Sequence, residues 1–248
     1  MLTLSLVAIA CTLLLQMPTL KLLCYREFLF DILNFMKLYL SSFRLGNKPQ
    51  ELIRLLGDKK RTAVIGNAQD MLPNSERTES LAQEMERLST LGLDSVEVDL
   101  RKYFGKTEEL RDELSKFDLV WVRGGNCFVL RRAFKQSGAD GIILELIKNE
   151  SIVYGGYSAG IDMLVPSLHG AELVDDPNSV PPSYDAEIVW DSLALLPYSI
   201  APHYKSDHPE SAAIDKSVEY MIDNHIPFIA LRDGEAIVIE GDSQTVVG

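Results

Sequence analysis

Residues 152–165 read Ile-Val-Tyr-Gly-Gly-Tyr-Ser-Ala-Gly-Ile-Asp-Met-Leu-Val. The short apolar run at its start predicts a buried strand, and the apolar stretch after residue 160 can begin a helix. Between them lies Gly156-Tyr157-Ser158-Ala159-Gly160, a Gly-x-Ser-x-Gly motif in the strand–turn–helix context of a nucleophile elbow. The flanking glycines leave room for a sharp turn that lifts the Ser158 hydroxyl over the edge of a sheet. The stretch therefore predicts an α/β fold with a serine nucleophile. The alternative is a plain turn in which serine caps a helix.

The same alternation of apolar runs and amphipathic stretches extends to both sides of the motif. It predicts five strands, at 38–42, 62–65, 95–98, 119–122 and 152–154. It predicts helices at 49–56, 76–91, 108–116, 128–137, 141–148 and 210–224. Apolar strands separated by helices indicate a mostly parallel sheet covered on both faces, in one domain that runs from Met36 to Gly248.

Two further features fall at predicted strand ends. Gly124-Gly125-Asn126 follows the strand 119–122, where paired glycines let backbone N–H groups approach a substrate oxygen. His203 follows the apolar run 193–200 and is the candidate base that a serine nucleophile needs. His169 is the weaker alternative base, and His208 is interpreted as a solvated neighbour of a helix cap.

The amino-acid composition limits the classes of protein to which the chain can belong. The chain has 248 residues, of which 46% are hydrophobic, and this excludes a mainly disordered chain. Its net charge of -12 makes nucleic acid an unfavourable partner. Three cysteines (Cys11, Cys24 and Cys127) are too scattered for a disulfide framework or a zinc site. We therefore expect a cytoplasmic protein without a metal or other cofactor.

The N-terminus carries an apolar extension, residues 1–35, whose first charged residue is Lys21. Three interpretations compete: translation starts at Met36, residues 1–20 are a signal or membrane anchor, or the segment is an extra packed helix. Only the second interpretation makes a membrane a partner and predicts that the protein is exported or membrane-anchored. The oligomeric state is not predicted.

The elbow (156–160), Gly-Gly-Asn (124–126) and Ala-Pro-His-Tyr (201–204) occur in an order and at spacings that resemble the dipeptidase E and cyanophycinase family of serine peptidases. This family belongs to the class I glutamine amidotransferase-like superfamily. The resemblance implies a flavodoxin-like three-layer α/β/α sandwich with no metal. It implies Ser158 as nucleophile and His203 as base. The backbone N–H groups of Gly125 and Ala159 would form the oxyanion hole, with Gly124 and Asn126 beside the substrate.

Three acidic residues are candidates for the third member of the triad. In the family pattern the acid lies between the nucleophile and the histidine, so Glu172 is the first choice and Asp175 and Asp176 are alternatives. Cys127 does not lie at the elbow, so the sequence does not favour a cysteine amidotransferase mechanism. The sequence shows no arginine group that would select an N-terminal aspartate.

The predicted function is a serine-type exopeptidase that hydrolyses dipeptides or short peptides through an acyl-enzyme. The alternatives are a catalytically inert binding or sensor domain of the same fold and a hydrolase of small esters. The predicted partner is a small peptide substrate.

Overall fold

The computed structural model describes residues 36–248, and the three interpretations of residues 1–35 lie outside them. The elements up to the elbow are β1 (Lys37–Ser41), α1 (Pro49–Leu56), β2 (Arg61–Ile65), α2 (Asn74–Ser89), β3 (Asp94–Glu97), α3 (Thr107–Leu114), β4 (Leu119–Val122), α4 (Cys127–Ser137), α5 (Ala139–Lys148) and β5 (Val153–Tyr157). The elements after it are α6 (Ala159–Asp162), β6 (Ser199–Ala201), α7 (Ser211–Asp223), β7 (Phe228–Ala230), β8 (Ala236–Glu240) and β9 (Ser243–Val247).

The main sheet has seven strands in the order β3-β2-β4-β5-β1-β8-β9. The five strands from β3 to β1 are parallel, and the hairpin β8–β9 adds an antiparallel edge next to β1. The strands β4 and β5 are buried along their whole length. They carry apolar runs because helices cover both faces of the sheet. The fold is the expected three-layer α/β/α sandwich.

The two larger of the three core clusters lie on opposite faces of this sheet. Leu38, Leu40 and Val120 belong to one cluster, whereas Tyr39, Trp121 and Val153 belong to the other. This alternation follows the two-residue period of a strand. The sheet is thus a rigid platform whose parallel strands all end at one edge, where β4 leads into Gly124 and β5 leads into Ser158.

A second, two-stranded sheet was not predicted. In it, β6 pairs with β7 in parallel, with Ala201 opposite Ala230. Its strands are short because the preceding backbone is bonded elsewhere: the N–H groups of Leu193, Ala194 and Leu196 donate to carbonyls of residues 163–165. The same bonds limit the helix after the elbow to residues 159–162, shorter than the predicted apolar stretch.

No helix within residues 36–248 combines the length and the apolar character needed to cross a bilayer.

Candidate active site

The turn at Ser158 has the geometry of an elbow. Ser158 has φ of 50° and ψ of -127°, a combination that a residue with a side chain adopts only when its surroundings impose it. A Cβ on Gly156 would lie 2.6 Å from the carbonyl oxygen of Val122, and a Cβ on Gly160 would collide with the same oxygen. Both glycines are therefore required because β4 passes close to the turn. Ser158 keeps part of its surface accessible, whereas its neighbours Tyr157 and Ala159 are buried.

His203 follows β6 and is 1% exposed. Its Nδ1 atom lies 2.7 Å from Oδ1 of Asp233, which follows the partner strand β7. With its proton on Nδ1 the imidazole donates to the carboxylate, so the opposite nitrogen, Nε2, is left to accept a proton. Burial lowers the pKa of His203 below its usual value of 6.5, although Asp233 acts in the opposite direction. These are the properties of a general base that is neutral near pH 7.

Ser42, at the end of β1, holds this pair. Its hydroxyl accepts the backbone N–H of His203 at 2.8 Å and donates to Oδ1 of Asp233 at 2.9 Å. The backbone N–H of Asp233 donates to the hydroxyl of Ser206 at 2.8 Å. The small sheet, the first strand of the main sheet and the loop after His203 therefore fix the two side chains together.

Asp233, and not one of the three acids favoured by the sequence, is the carboxylate that contacts His203. The Glu172 carboxylate accepts the backbone N–H of Gly170 within its own turn. Asp175 accepts the backbone N–H of Cys127 at 2.8 Å, and Asp176 accepts that of Asn178 at 2.9 Å. All three carboxylates thus accept backbone N–H groups, and Asp175 joins this segment to the start of α4.

The glycine pair after β4 lies beside the elbow as expected. A Cβ on Gly124 would be 2.9 Å from the Ser158 Cβ, and one on Gly125 would be 2.6 Å from the Ala68 carbonyl oxygen. Gly125 has φ of 142°, in the region that favours glycine. Asn126 has a structural task, since its Oδ1 caps α4 by accepting from Val129 N and its Nδ2 donates to the Asp176 carbonyl. Gly124 and Gly125, with Ser158 and His203, line one cleft.

His208 neighbours the N-cap of α7, as the sequence suggested, but it is largely shielded from solvent. Its ring stacks on that of His203, with centroids 3.7 Å apart and planes 7° from parallel. Its Nδ1 accepts the backbone N–H of Glu210 at 3.2 Å. His169, the alternative base, instead stacks on Trp190 with centroids 4.5 Å apart.

Within residues 36–248, one group of three residues could be considered for a metal ion. Ligand atoms of His203, His208 and Asp233 lie within 4.8 Å of one another. The two imidazoles are stacked face to face, however, and ring nitrogens bind a metal in the plane of the ring. An ion in the plane of one ring is out of the plane of the other, so the arrangement suits an acid–base pair better than a metal centre.

Cys127 takes no part in the site as a nucleophile. Its side chain is 1% exposed, and burial, reinforced by Asp175, raises the pKa of its thiol well above the usual value. A thiol held protonated in this way is unreactive.

Comparison with known proteins places the chain in a family. The model of peptidase family S51 matches residues 44–247. A "probable alpha-aspartyl dipeptidase" of Drosophila melanogaster is 30% identical over 140 residues, which are 54% of this chain and 55% of that protein. A Peptidase E of Streptomyces coelicolor is 31% identical over 140 residues, covering 54% of each chain. The chain thus spans about half the length of these two curated relatives.

Longer matches exist at similar identity. An uncharacterized peptidase of Listeria innocua is 32% identical over 161 residues, which cover 64% of this chain and 75% of that protein. The fold is similar to that of a crystallised candidate Peptidase E of Listeria monocytogenes, with a TM-score of 0.69 and 24% identity, over 86% of this chain and 98% of that chain.

Proposed function

The chain belongs to peptidase family S51, and on that premise we propose that it is a serine peptidase acting on dipeptides or short peptides, with Ser158, His203 and Asp233 as its triad. The observation that carries the proposal is the hydrogen bond between His203 and Asp233, in which the buried His203 lines the same cleft as Ser158. An imidazole oriented by a carboxylate beside an elbow serine is the arrangement that activates a hydroxyl for attack on a carbonyl.

The proposed reaction has two halves. Nε2 of His203 takes the proton of the Ser158 hydroxyl while Oγ attacks the scissile carbonyl carbon, and Asp233 stabilises the imidazolium that forms. The imidazolium then gives this proton to the departing amine as the C–N bond breaks, which leaves an acyl-enzyme. In the second half, His203 takes a proton from water, the hydroxide attacks the ester, and the proton returns to Ser158.

The negative charge on the carbonyl oxygen needs donors in place before the reaction. We assign this task to the backbone N–H groups of Ala159 and Gly125. Two observations support the assignment: Ala159 opens α6, so its N–H has no acceptor within the helix, and Gly124 packs directly against Ser158.

A fluorophosphonate probe and a dipeptide library test the proposal. We expect the probe to label the wild-type protein and Ser151→Ala, a change at an exposed serine, but not Ser158→Ala. We expect the wild type to hydrolyse members of the library and Ser158→Ala to hydrolyse none. Hydrolysis retained by Ser158→Ala would remove the serine mechanism. Labelling without hydrolysis of any dipeptide, together with turnover of short-chain esters, would favour the ester hydrolase.

A further inference from the structure

One face of the His203 imidazole is covered by a second imidazole. The ring of His208, five residues later in the chain, lies parallel to it with a centroid distance of 3.7 Å. The chain between the two residues therefore folds back on itself. The His208 side chain is 16% exposed and lines the same cleft as Ser158 and His203. The proposed triad gives this second ring no task, although it makes a broad contact with the base.

The hydrogen bond to Asp233 does not by itself fix the orientation of the base. It holds one atom of the imidazole, Nδ1. The last torsion of a histidine side chain has broad minima, so a ring held at one nitrogen can still tilt. A tilt moves Nε2, the nitrogen that has to reach Ser158. The plane of the ring is fixed only by a further contact on its face, and the His208 ring makes that contact.

The His208 ring is itself anchored to the start of α7. Its Nδ1 accepts the backbone N–H of Glu210 at 3.2 Å, and its backbone carbonyl accepts the N–H of Ser211 at 3.0 Å. Pro209 follows directly, and a residue before proline is disfavoured in the helical region. The chain at His208 is thus kept out of the helix and turned towards His203.

Phe43 extends this packing to the elbow. Its ring stands edge-on to the rings of His203 and His208, with centroid distances of 5.6 and 5.1 Å. It also stands edge-on to the ring of Tyr157, at 6.2 Å. Aromatic rings attract one another in this arrangement and over these distances. Since Tyr157 directly precedes Ser158, the two stacked imidazoles are packed, through one phenyl ring, against the chain that presents the nucleophile.

We infer that His208 is a positioning residue for the base. Its ring, anchored at the start of α7 and supported by Phe43, holds the plane of the His203 imidazole so that Nε2 stays directed at Ser158. The inference rests on the proposed function, because it assigns His208 a part in the same reaction. The role requires a flat ring at residue 208 and no proton transfer by it.

Two substitutions separate the ring from its nitrogens. In His208→Ala the contact on the face of His203 is lost, and we expect kcat for a dipeptide to fall by about tenfold to a hundredfold with KM within about twofold of the wild type. In His208→Phe a flat ring remains, so kcat should recover to within about threefold of the wild type. His225→Ala changes an exposed histidine after α7 and is the control, with kcat unchanged.

NMR gives a readout that does not depend on turnover. The ring current of a stacked neighbour shifts the Cε1 proton of His203 upfield. At a fixed pH, we expect this resonance to move downfield in His208→Ala and not in His208→Phe. The resonance should be unaffected in His225→Ala.

Four results would overturn the inference: an unchanged kcat in His208→Ala, a rise in KM alone, a His208→Phe variant as slow as His208→Ala, or an unmoved Cε1 resonance in His208→Ala. If His208→Ala fails to fold, His208→Phe decides, since loss of turnover in that folded variant contradicts a role that needs only a flat ring. These results are separate from those of the proposed function. Hydrolysis retained by Ser158→Ala removes the serine mechanism, whereas full turnover of His208→Ala beside an inactive Ser158→Ala removes only the role of His208.

Discussion

Asp233 stands 30 residues after His203 in the chain, yet its Oδ1 lies 2.7 Å from the imidazole Nδ1. The two residues come together because each follows one strand of the same parallel pair, with Ala201 opposite Ala230. This relationship makes the order of the proposed triad serine, histidine, acid.

Replacement of Asp233 tests the acid directly. In Asp233→Asn the amide can donate to Nδ1 and hold the imidazole in the tautomer that cannot accept the serine proton, so we expect turnover to fall by about ten thousand-fold. Glu172→Gln is the matched control, because its carboxylate bonds only Gly170, and it should keep near-wild-type turnover. Steady-state hydrolysis of a dipeptide by both variants is the measurement. A collapse in Glu172→Gln with activity kept in Asp233→Asn would return the assignment to Glu172.

Ser42 should act as a positioning residue. Ser42→Ala leaves the buried backbone N–H of His203 without its acceptor, which we expect to cost about 1–3 kcal/mol in the free energy of unfolding. Turnover should fall by about tenfold to a hundredfold with KM unchanged, because the base shifts while the binding surface does not. Ser41→Ala is the control, since that hydroxyl donates a hydrogen bond to the Phe43 carbonyl and none to His203 or Asp233. An effect on KM alone, or equal loss of turnover in both variants, contradicts the prediction.

The protonation of His203 can be followed by NMR. Because burial lowers its pKa and this effect outweighs the opposing one of Asp233, the neutral base should persist to lower pH than that of a free imidazole. We expect the Cε1 proton to titrate with a midpoint below 6.5, assigned by its absence from the spectrum of His203→Gln. A midpoint at or above 6.5 would show that the carboxylate dominates over burial.

Replacement by alanine should change the free energy of unfolding in opposite directions at Gly160 and Gly141. In Gly160→Ala the new methyl group meets the Val122 carbonyl oxygen, so we expect a loss of about 1–3 kcal/mol in the free energy of unfolding. In Gly141→Ala the methyl group meets nothing within 4 Å on the exposed side of α5, and stability should rise by up to about 1 kcal/mol. Urea denaturation of both variants measures this. Unchanged stability in Gly160→Ala would mean that β4 can move away from the elbow.

Removal of divalent metal should leave turnover intact. Within residues 36–248, the one candidate ligand group has its imidazoles stacked rather than converging on an ion. We therefore expect dialysis against EDTA to leave dipeptide hydrolysis unchanged. Activity that is lost on dialysis and restored by zinc would contradict the expectation.

The sequence predicted the parallel sheet well because its central strands are buried on both faces, so that a run such as Leu119–Val122 stands out as continuously apolar. The helix Pro49–Leu56 begins and ends as predicted. The hairpin β8–β9 was not predicted, although Gly241-Asp242 separates two strand-like stretches. The reason is that β9 is exposed along most of its length, which weakens its hydrophobic pattern.

The acid could not be located by the same reasoning. The sequence pointed to Glu172 because it lies between the nucleophile and the histidine, but proximity in the chain does not decide which residues share a sheet edge. A signal was present in the segment Phe228–Ala230, a short strand-like run followed closely by Asp233, just as Ser199–Ala201 is followed by His203. Pairing of two three-residue strands depends on tertiary contacts, which local propensity does not encode.

The base and its acid stand on the small sheet, whereas the serine stands on the large one. A change in the packing between the two sheets would leave the hydrogen bond between His203 and Asp233 in place, but it would strain the bonds from Ser42 of the main sheet to both residues and would change the gap to Ser158. The reach of His203 to Ser158 thus depends on the distance between two modules, the small sheet and the main sheet. Homologues with diverged interfaces between those modules would differ in reaction rate while they kept the same intact acid–base couple.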